Sequence, residues 1–208
     1  ARIAAGRRLW EEHPVEADVV IGVPDSGLDA ALGFSQASGI PYGTGFVKNR
    51  YVGRTFIQPS QDQRSDSVRI KLNALSSTVQ GKRVVMVDDS IVRGTTIRNI
   101  VELLRRAGAS EVHVRISSPP FIAPCHFGTD VDSTENLIAC RLSIPEIAHA
   151  IHADSLGYLS VDGVRQIAKT RSCGFCTGCF TGKYPILIRD EAAMDKYQFE
   201  TFGASNAE

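Results

Sequence analysis

Three short runs of almost uninterrupted apolar residues constrain the fold of this chain more than any other feature. They cover residues 17–23, 84–87 and 112–116. A strand that is hydrophobic on both sides needs cover on both faces, which is typical of parallel sheets enclosed by helices. Helical patterns over residues 28–38 and 95–107 lie between these runs, and a glycine follows each of them. This order predicts right-handed crossovers and an α/β fold, with a mostly parallel twisted sheet and flanking helices.

The composition excludes several function classes. The chain has 208 residues, of which 43% are hydrophobic and 22% charged, as expected of a globular chain with a substantial core. Its 23 basic and 23 acidic residues cancel, so its net charge favours neither nucleic acid nor an anionic membrane as a partner. The longest stretch without charge, residues 30–47, contains Gly, Ser, Gln and Pro throughout and is unsuited to spanning a bilayer. Any phosphate binding must therefore be local.

Five cysteines, an odd number, indicate a reducing compartment. They stand at positions 125, 140, 173, 176 and 179. A secreted disulfide framework normally uses an even number of cysteines, so we expect a cytoplasmic protein with a metal or redox role. The spacing of the last three suits Zn²⁺ or an iron-sulfur cluster, and free thiols in a loop are the simpler alternative.

The character of the sequence changes after residues 117–120, where two serines precede two prolines. Helices are predicted at 145–152, with Ser143 near the cap, and at 160–169. We expect one domain over residues 1–160 and a helical, cysteine-containing segment with its tail over residues 161–208. The acidic stretch from Asp190 onward is predicted to form a surface helix that frays at its end.

The most informative segment covers residues 84–96. An apolar strand there ends in Asp88 and Asp89, and a short turn with Gly94 leads directly into a helix. Unpaired amides at such a helix start suit a phosphate monoester. Carboxylates at the end of a parallel strand are placed to accept hydrogen bonds from sugar hydroxyls or to face a divalent cation. Each feature alone is usually a solvated turn or a simple cap, but their joint occurrence in this order is much rarer.

Residues 84–96 resemble the phosphoribosyl-diphosphate (PRPP) binding signature of type I phosphoribosyltransferases. Four further segments are similar to the amidophosphoribosyltransferases, the glutamine PRPP amidotransferases of purine synthesis. These segments are residues 22–27, 48–58, 69–71 and 180–185. The resemblance implies a type I phosphoribosyltransferase fold and a pentosyltransferase that forms 5-phosphoribosylamine and diphosphate from PRPP and ammonia. This reaction is the first committed step of purine biosynthesis.

The resemblance also implies roles for individual residues. Asp88 and Asp89 would hold the ribose hydroxyls and Mg²⁺, and Ser26 would belong to the same magnesium site. Asp25 and Gly27 would border the diphosphate. The residues implied to cradle the 5′-phosphate are Ser90, Arg93, Gly94, Thr95 and Thr96.

A basic segment lies between Lys48 and Lys71, with six basic and two acidic residues. Such a segment can close over a diphosphate leaving group, screen its charge and exclude water. The resemblance assigns it to the flexible catalytic loop of the family, with Lys48, Arg50, Tyr51 and Arg54 as its catalytic residues. A solvated basic loop without a role is the alternative.

The resemblance extends to the cysteines. The chain is similar to the subgroup of the family that carries a structural [4Fe-4S] cluster. This resemblance implies Cys125, Cys176 and Cys179 as ligands, with the fourth ligand upstream of this chain. Cys173 would be a neighbour, and Cys140 has no counterpart.

In the family, an N-terminal glutaminase domain makes ammonia from glutamine, and we expect this domain to be absent from the chain. The chain is then expected to use free ammonia and not glutamine. Family members form homo-oligomers and are inhibited by purine nucleotides. Two other functions remain open: a PRPP-sensing regulatory module without catalysis, and a scaffold in which residues 173–179 bind Zn²⁺.

Overall fold

A computed structural model describes residues 1–49, 72–129, 131, 133–167 and 174–186 of the chain. The strands are β1 Val19–Gly22, β2 Phe46–Lys48, β3 Leu72–Ala74, β4 Arg83–Asp88, β5 Glu111–Ile116 and β6 Ser155–Tyr158. The helices are α1 Arg2–Glu12, α2 Leu28–Ser38, α3 Ser76–Val79, α4 Thr95–Arg106, α5 Ile144–Ala150, α6 Val161–Ile167 and α7 Gly178–Thr181. Two 3₁₀ turns cover Thr134–Asn136 and Ile138–Cys140.

The main sheet has four parallel strands in the order β1-β4-β5-β6. The three strands predicted from apolar runs are β1, β4 and β5, so the predicted α/β fold with a parallel sheet and flanking helices is confirmed. Tyr42 adds an isolated parallel bridge to Val20, on the other side of β1 from β4. β2 and β3 form a separate antiparallel pair. The sequence analysis had identified neither this pair nor β6.

The apolar runs are continuous because the sheet is covered on both faces. Successive side chains of a strand point to opposite faces. Ile21 and Met86 accordingly lie in a cluster with α4 and α5, whereas Val20 and Val85 pack with α1 and α2 on the other face. On α4, the predicted apolar face is confirmed by four fully or almost fully buried side chains. They are Ile97, Ile100, Val101 and Leu104.

The short helices follow their predicted positions with small shifts. α5 begins with a capping box in which Ser143 and Glu146 bond reciprocally, as the predicted cap at Ser143 requires. It ends at Ala150, two residues before the predicted end, and α6 is described as far as Ile167. The predicted helix from Asp190 lies outside the described residues. The proposed domain boundary at residue 160 stays a prediction.

Hydrogen bonds of buried polar groups connect the end of α1 to strands β5 and β6. Arg115 on β5 is 4% exposed, and its guanidinium donates to the His13 carbonyl at 3.0 Å and to Ser155 Oγ at 3.0 Å. Burial lowers the pKa of Arg115 to about 10. His113 is also buried on β5, bonded to Ser155 and Glu111. These bonds satisfy polar groups that would otherwise destabilise the interior.

No helix among the described residues is both long enough and apolar enough to cross a membrane.

Candidate functional site

Parallel pairing of β1 with β4 brings two loops to one edge of the sheet. Beyond the register of the strands, the amide of Val23 donates to the carbonyl of Val87 at 2.9 Å. Gly27, which precedes α2, lies so close to β4 that a Cβ atom there would stand 2.4 Å from the Val87 oxygen. Only glycine fits this approach. The loop over residues 23–27 and the loop over residues 89–94 therefore follow neighbouring strand ends at one edge of the sheet.

Asp88 and Asp89 differ sharply in environment. Asp88 is the last residue of β4 and is 9% exposed, whereas Asp89 is exposed. The amide of Asp89 donates to Asp88 Oδ1 at 2.8 Å, and Ser90 Oγ donates to Asp89 Oδ1 at 2.9 Å. Burial first, and then the charge of Asp89, raise the pKa of Asp88 to about 8. Asp88 is therefore largely protonated at neutral pH.

The start of α4 is open to solvent and free of acidic side chains in its first turn. Thr95 and Thr96 are exposed there, and so is Arg93 in the preceding loop. Gly94 has φ +85°, a left-handed conformation that favours glycine, and turns the chain into the helix. Backbone amides, hydroxyls and a guanidinium thus surround a helix N-terminus, an arrangement suited to a phosphate monoester.

Two segments that the sequence analysis did not connect with the site support these loops. Ser117, just after β5, donates to the Asp88 carbonyl from its amide at 2.9 Å and its hydroxyl at 3.2 Å. The amide of Ile138 donates to the Val92 carbonyl at 2.9 Å, and a Cβ on Gly94 would lie 2.6 Å from Ile138 Cδ1. Neither residue belongs to a polar motif, so their role depends on tertiary contacts that no local pattern signals.

The loop after β1 carries the other predicted ligand residues. Ser26 is half-buried, and its carbonyl accepts a hydrogen bond from the Arg2 guanidinium at 2.8 Å. Arg2 on α1 is thus a further support for this loop that the sequence did not indicate. Asp25 is exposed and forms an ion pair with Lys48, the last residue of β2. Of the predicted catalytic residues, Lys48 is therefore placed beside this loop, and Arg50, Tyr51 and Arg54 lie outside the described residues.

The cysteines at positions 125 and 179, far apart in sequence, lie in one place. Both pack against an apolar cluster that includes Phe121 and Leu137. The carbonyl of Cys179 accepts the amides of residues 122 and 123 at 2.9 and 3.1 Å. Burial, followed by the nearby thiol of Cys125, raises the pKa of Cys179. Cys176 is exposed two residues before α7, and Cys173 lies outside the described residues.

Cys125 lies in a turn whose amides point toward its sulfur. Burial opposes its ionisation, but hydrogen bonds from the amides of residues 127, 129 and 128 outweigh this effect and lower its pKa. The amide of Thr129 lies 3.4 Å from Cys125 Sγ. A thiolate is the form of cysteine that binds metals, so this environment suits a ligand. Within the described ranges, no three His, Cys, Asp or Glu side chains are placed to hold a single metal ion.

The crevice at the ends of β1 and β4 and the parallel sheet together define a class of protein. Residues 2–117 match the phosphoribosyl transferase domain, and the chain belongs to that family. More narrowly, it is 55% identical to the amidophosphoribosyltransferase of Synechocystis over 98% of its own length and 41% of that relative. It is also 55% identical to the amidophosphoribosyltransferase of Bacillus subtilis, over 93% of this chain and 42% of the relative.

A solved structure gives the same likeness. Glutamine phosphoribosylpyrophosphate (PRPP) amidotransferase from B. subtilis, complexed with ADP and GMP, matches with a TM-score of 0.81 and 56% sequence identity. The match covers 91% of this chain and 43% of that one. The chain thus spans about two fifths of the length of the curated relatives that it matches.

The environment of Asp88 predicts how stability depends on pH in the absence of divalent cations. Its pKa is about 8 in the folded chain, against about 3.9 for an unperturbed aspartate. Between these values the folded chain binds more protons, so the free energy of unfolding should fall as pH rises, by at most about 1.4 kcal/mol per pH unit. Urea unfolding at several pH values between 5 and 8 measures this slope.

The variant Asp88→Asn should flatten this slope, because the titrating group is gone. Asp89→Asn removes only the second cause of the shift and should leave an intermediate slope. Equal slopes for the wild type and Asp88→Asn would contradict the assignment.

A second prediction concerns Gly94. Replacing Gly94 with Ala should cost about 1–2 kcal/mol for the left-handed conformation and should also push Ile138 away from the loop. We expect the binding of a phosphate monoester at this loop to weaken at least about tenfold, because small displacements at a binding loop have large effects. Gly81→Ala is the matched control, since Gly81 also has positive φ (+71°) but nothing within 4 Å of its Cβ position. An equal loss of affinity in both variants would refute a specific role for Gly94.

Proposed function

We propose that this chain is the phosphoribosyltransferase part of an amidophosphoribosyltransferase. Its reaction would join ammonia to the anomeric carbon of PRPP, giving 5-phosphoribosylamine and diphosphate, at the start of purine biosynthesis. The observation that carries the proposal is the contact between the loop over residues 23–27 and the end of β4. Because of this contact the two loops lie at one edge of the sheet, where they would bind the diphosphate and the 5′-phosphate of one substrate. Identity of 55% to two amidophosphoribosyltransferases supports it.

Each loop would hold one part of the substrate. The amides at the start of α4 and the hydroxyls of Thr95 and Thr96 would bind the 5′-phosphate. Asp89, which is exposed at the same edge, would accept hydrogen bonds from the ribose hydroxyls. The loop with Asp25, Ser26 and Gly27 would border the diphosphate, on the side where Lys48 lies. The chain would thus fix the sugar from both ends, which favours attack at its anomeric carbon.

Mg²⁺ fits this crevice. The cation is usually bound by one or two carboxylates together with substrate phosphates, rather than by a complete protein cage. Asp88 and Asp89 supply two adjacent carboxyl groups, and the Ser26 hydroxyl belongs to the neighbouring loop. When bound, the cation would stabilise the charge on the departing diphosphate. Lys48, together with Arg50, Tyr51 and Arg54, would complete this neutralisation and exclude water.

The reaction predicts a clear effect of a substitution at Asp89. Asp89→Asn should reduce the Mg²⁺-dependent consumption of PRPP with ammonium chloride at least about tenfold, since it removes a ligand for the cation and the ribose. Its melting temperature should change little, because the side chain is exposed. Release of diphosphate, measured with a coupled assay, follows the reaction. Asp162→Asn, on the exposed face of α6, is the control.

A PRPP-sensing module without catalysis is the alternative. The chain would then bind PRPP without consuming it at any ammonium concentration, even in the full-length protein. If Asp89→Asn lost activity and thermal stability in parallel, the carboxylate would be structural rather than part of the site.

We also propose that Cys125, Cys176 and Cys179 hold a [4Fe-4S] cluster with a fourth ligand from outside this chain. The shared position of Cys125 and Cys179 against one apolar cluster supports the proposal, as do the amides around Cys125. The cluster would be structural, joining the segment after β5 to the segment around α7. Anaerobically purified full-length protein should contain iron and sulfide and absorb near 400 nm. Zinc without iron would favour the scaffold alternative, and Cys179→Ser should abolish the absorption.

Purine nucleotides are proposed as inhibitors, because the B. subtilis relative was solved with ADP and GMP. Assembly into a homo-oligomer stays a prediction.

A further inference from the structure

The ion pair between Asp25 and Lys48 stands at a cavity of about 250 Å³ on the diphosphate side of the crevice. The cavity is enclosed by the loop after β1, the start of α2 and residues 42–48. The phosphate loop after β4 does not contribute to its lining. This cavity is therefore separate from the helix N-terminus that would bind the 5′-phosphate.

The lining contains little charge. Among the described residues that line the cavity, only Asp25 and Lys48 are acidic or basic, and the others are glycines, apolar side chains, Thr44 and Tyr42. The side chain of Lys48 is 24% exposed, whereas that of Asp25 is 64% exposed. Both side chains line the cavity, and Lys48 is the more buried partner of the ion pair.

An anionic ligand that enters this cavity meets an ammonium group that is already paired. To contact Lys48, the ligand must take the place of the Asp25 carboxylate, which then remains close by as a like charge. Both effects oppose binding: the first removes an existing attraction, and the second adds repulsion. Their size is limited because Asp25 is well exposed and water screens it.

We propose that the Asp25 carboxylate competes with diphosphate for the Lys48 ammonium group and thereby lowers the affinity of the site for diphosphate. This inference rests on the proposed function, since it assumes that the diphosphate group of PRPP binds beside Lys48. Asp25 would keep the lysine close to the cavity wall while the site is empty. It would also speed the release of diphosphate after the reaction, because the carboxylate stands ready to take back the ammonium group.

Removing the charge of Asp25 tests the proposal directly. In titration calorimetry of the full chain with inorganic diphosphate and Mg²⁺, Asp25→Asn should bind diphosphate about two- to fivefold more tightly than the wild type, in keeping with an exposed ion pair. The gain should shrink at high salt, because the competing attraction and the repulsion are both screened.

Asp29→Asn is the matched control. Asp29 lies in the first turn of α2, it is exposed, and its charge acts on Tyr42 of the same cavity, so its replacement changes the net charge equally. It should change diphosphate affinity less than Asp25→Asn does. Asp25→Glu keeps the charge and should not reproduce the gain in diphosphate affinity.

A double-mutant cycle isolates the pair. If Asp25 acts through Lys48, the effect of Asp25→Asn should fall to that of Asp29→Asn in a Lys48→Met background. Weaker binding by Asp25→Asn, or a gain no greater than that of Asp29→Asn, would overturn the inference while leaving the proposed function intact. A wild-type chain that binds neither diphosphate nor PRPP would overturn the proposed function, and the inference with it.

Discussion

The parallel contact between β1 and β4 is the constraint on which the rest of the site depends. In a parallel sheet the carboxyl ends of neighbouring strands meet at one edge, so the loops that follow them must share that edge. Here the contact continues beyond the strands, through the bond from Val23 to Val87, and the absence of a side chain at Gly27 lets the two backbones touch. The distance between the two candidate anion sites is therefore set by backbone geometry and not by mobile side chains.

Much of this arrangement could be predicted from sequence because its causes are local. A strand covered on both faces must be apolar at every position, which made β1, β4 and β5 recognisable as short uninterrupted runs. The helix α4 could be recognised because its apolar residues recur at helical spacing and converge on one buried face. Two carboxylates, a glycine and hydroxyl residues between such a strand and such a helix have few structural uses, so they mark residues 89–94 as a candidate phosphate loop.

The remainder depends on contacts between distant segments, which leave no local pattern. Ser117 donates to the Asp88 carbonyl, Ile138 donates to the Val92 carbonyl, and Arg2 supports the neighbouring loop from a helix that precedes it in sequence. β6 is only four residues long and half of it is incompletely buried, so its apolar content is too low to stand out. No local pattern marks His113 as buried either. One of its partners, Ser155, lies on another strand, and the other, Glu111, lies two residues away on the same strand.

Charge at the site is balanced locally, which explains how a chain of zero net charge can be suited to a highly anionic ligand. At one loop, burial and the neighbouring Asp89 hold Asp88 largely protonated at neutral pH, so the empty site avoids a buried negative charge next to the Asp89 carboxylate. At the other loop, Asp25 forms an ion pair with Lys48, which a bound anion would replace. The protonation of Asp88 and the ion pair between Asp25 and Lys48 keep the empty crevice nearly neutral. When a cation and a diphosphate bind together, Asp88 must lose its proton and the ion pair must break. The positive charge of the cation and the negative charge of the diphosphate then offset each other in the crevice. We therefore expect the cation and the diphosphate to bind with positive coupling.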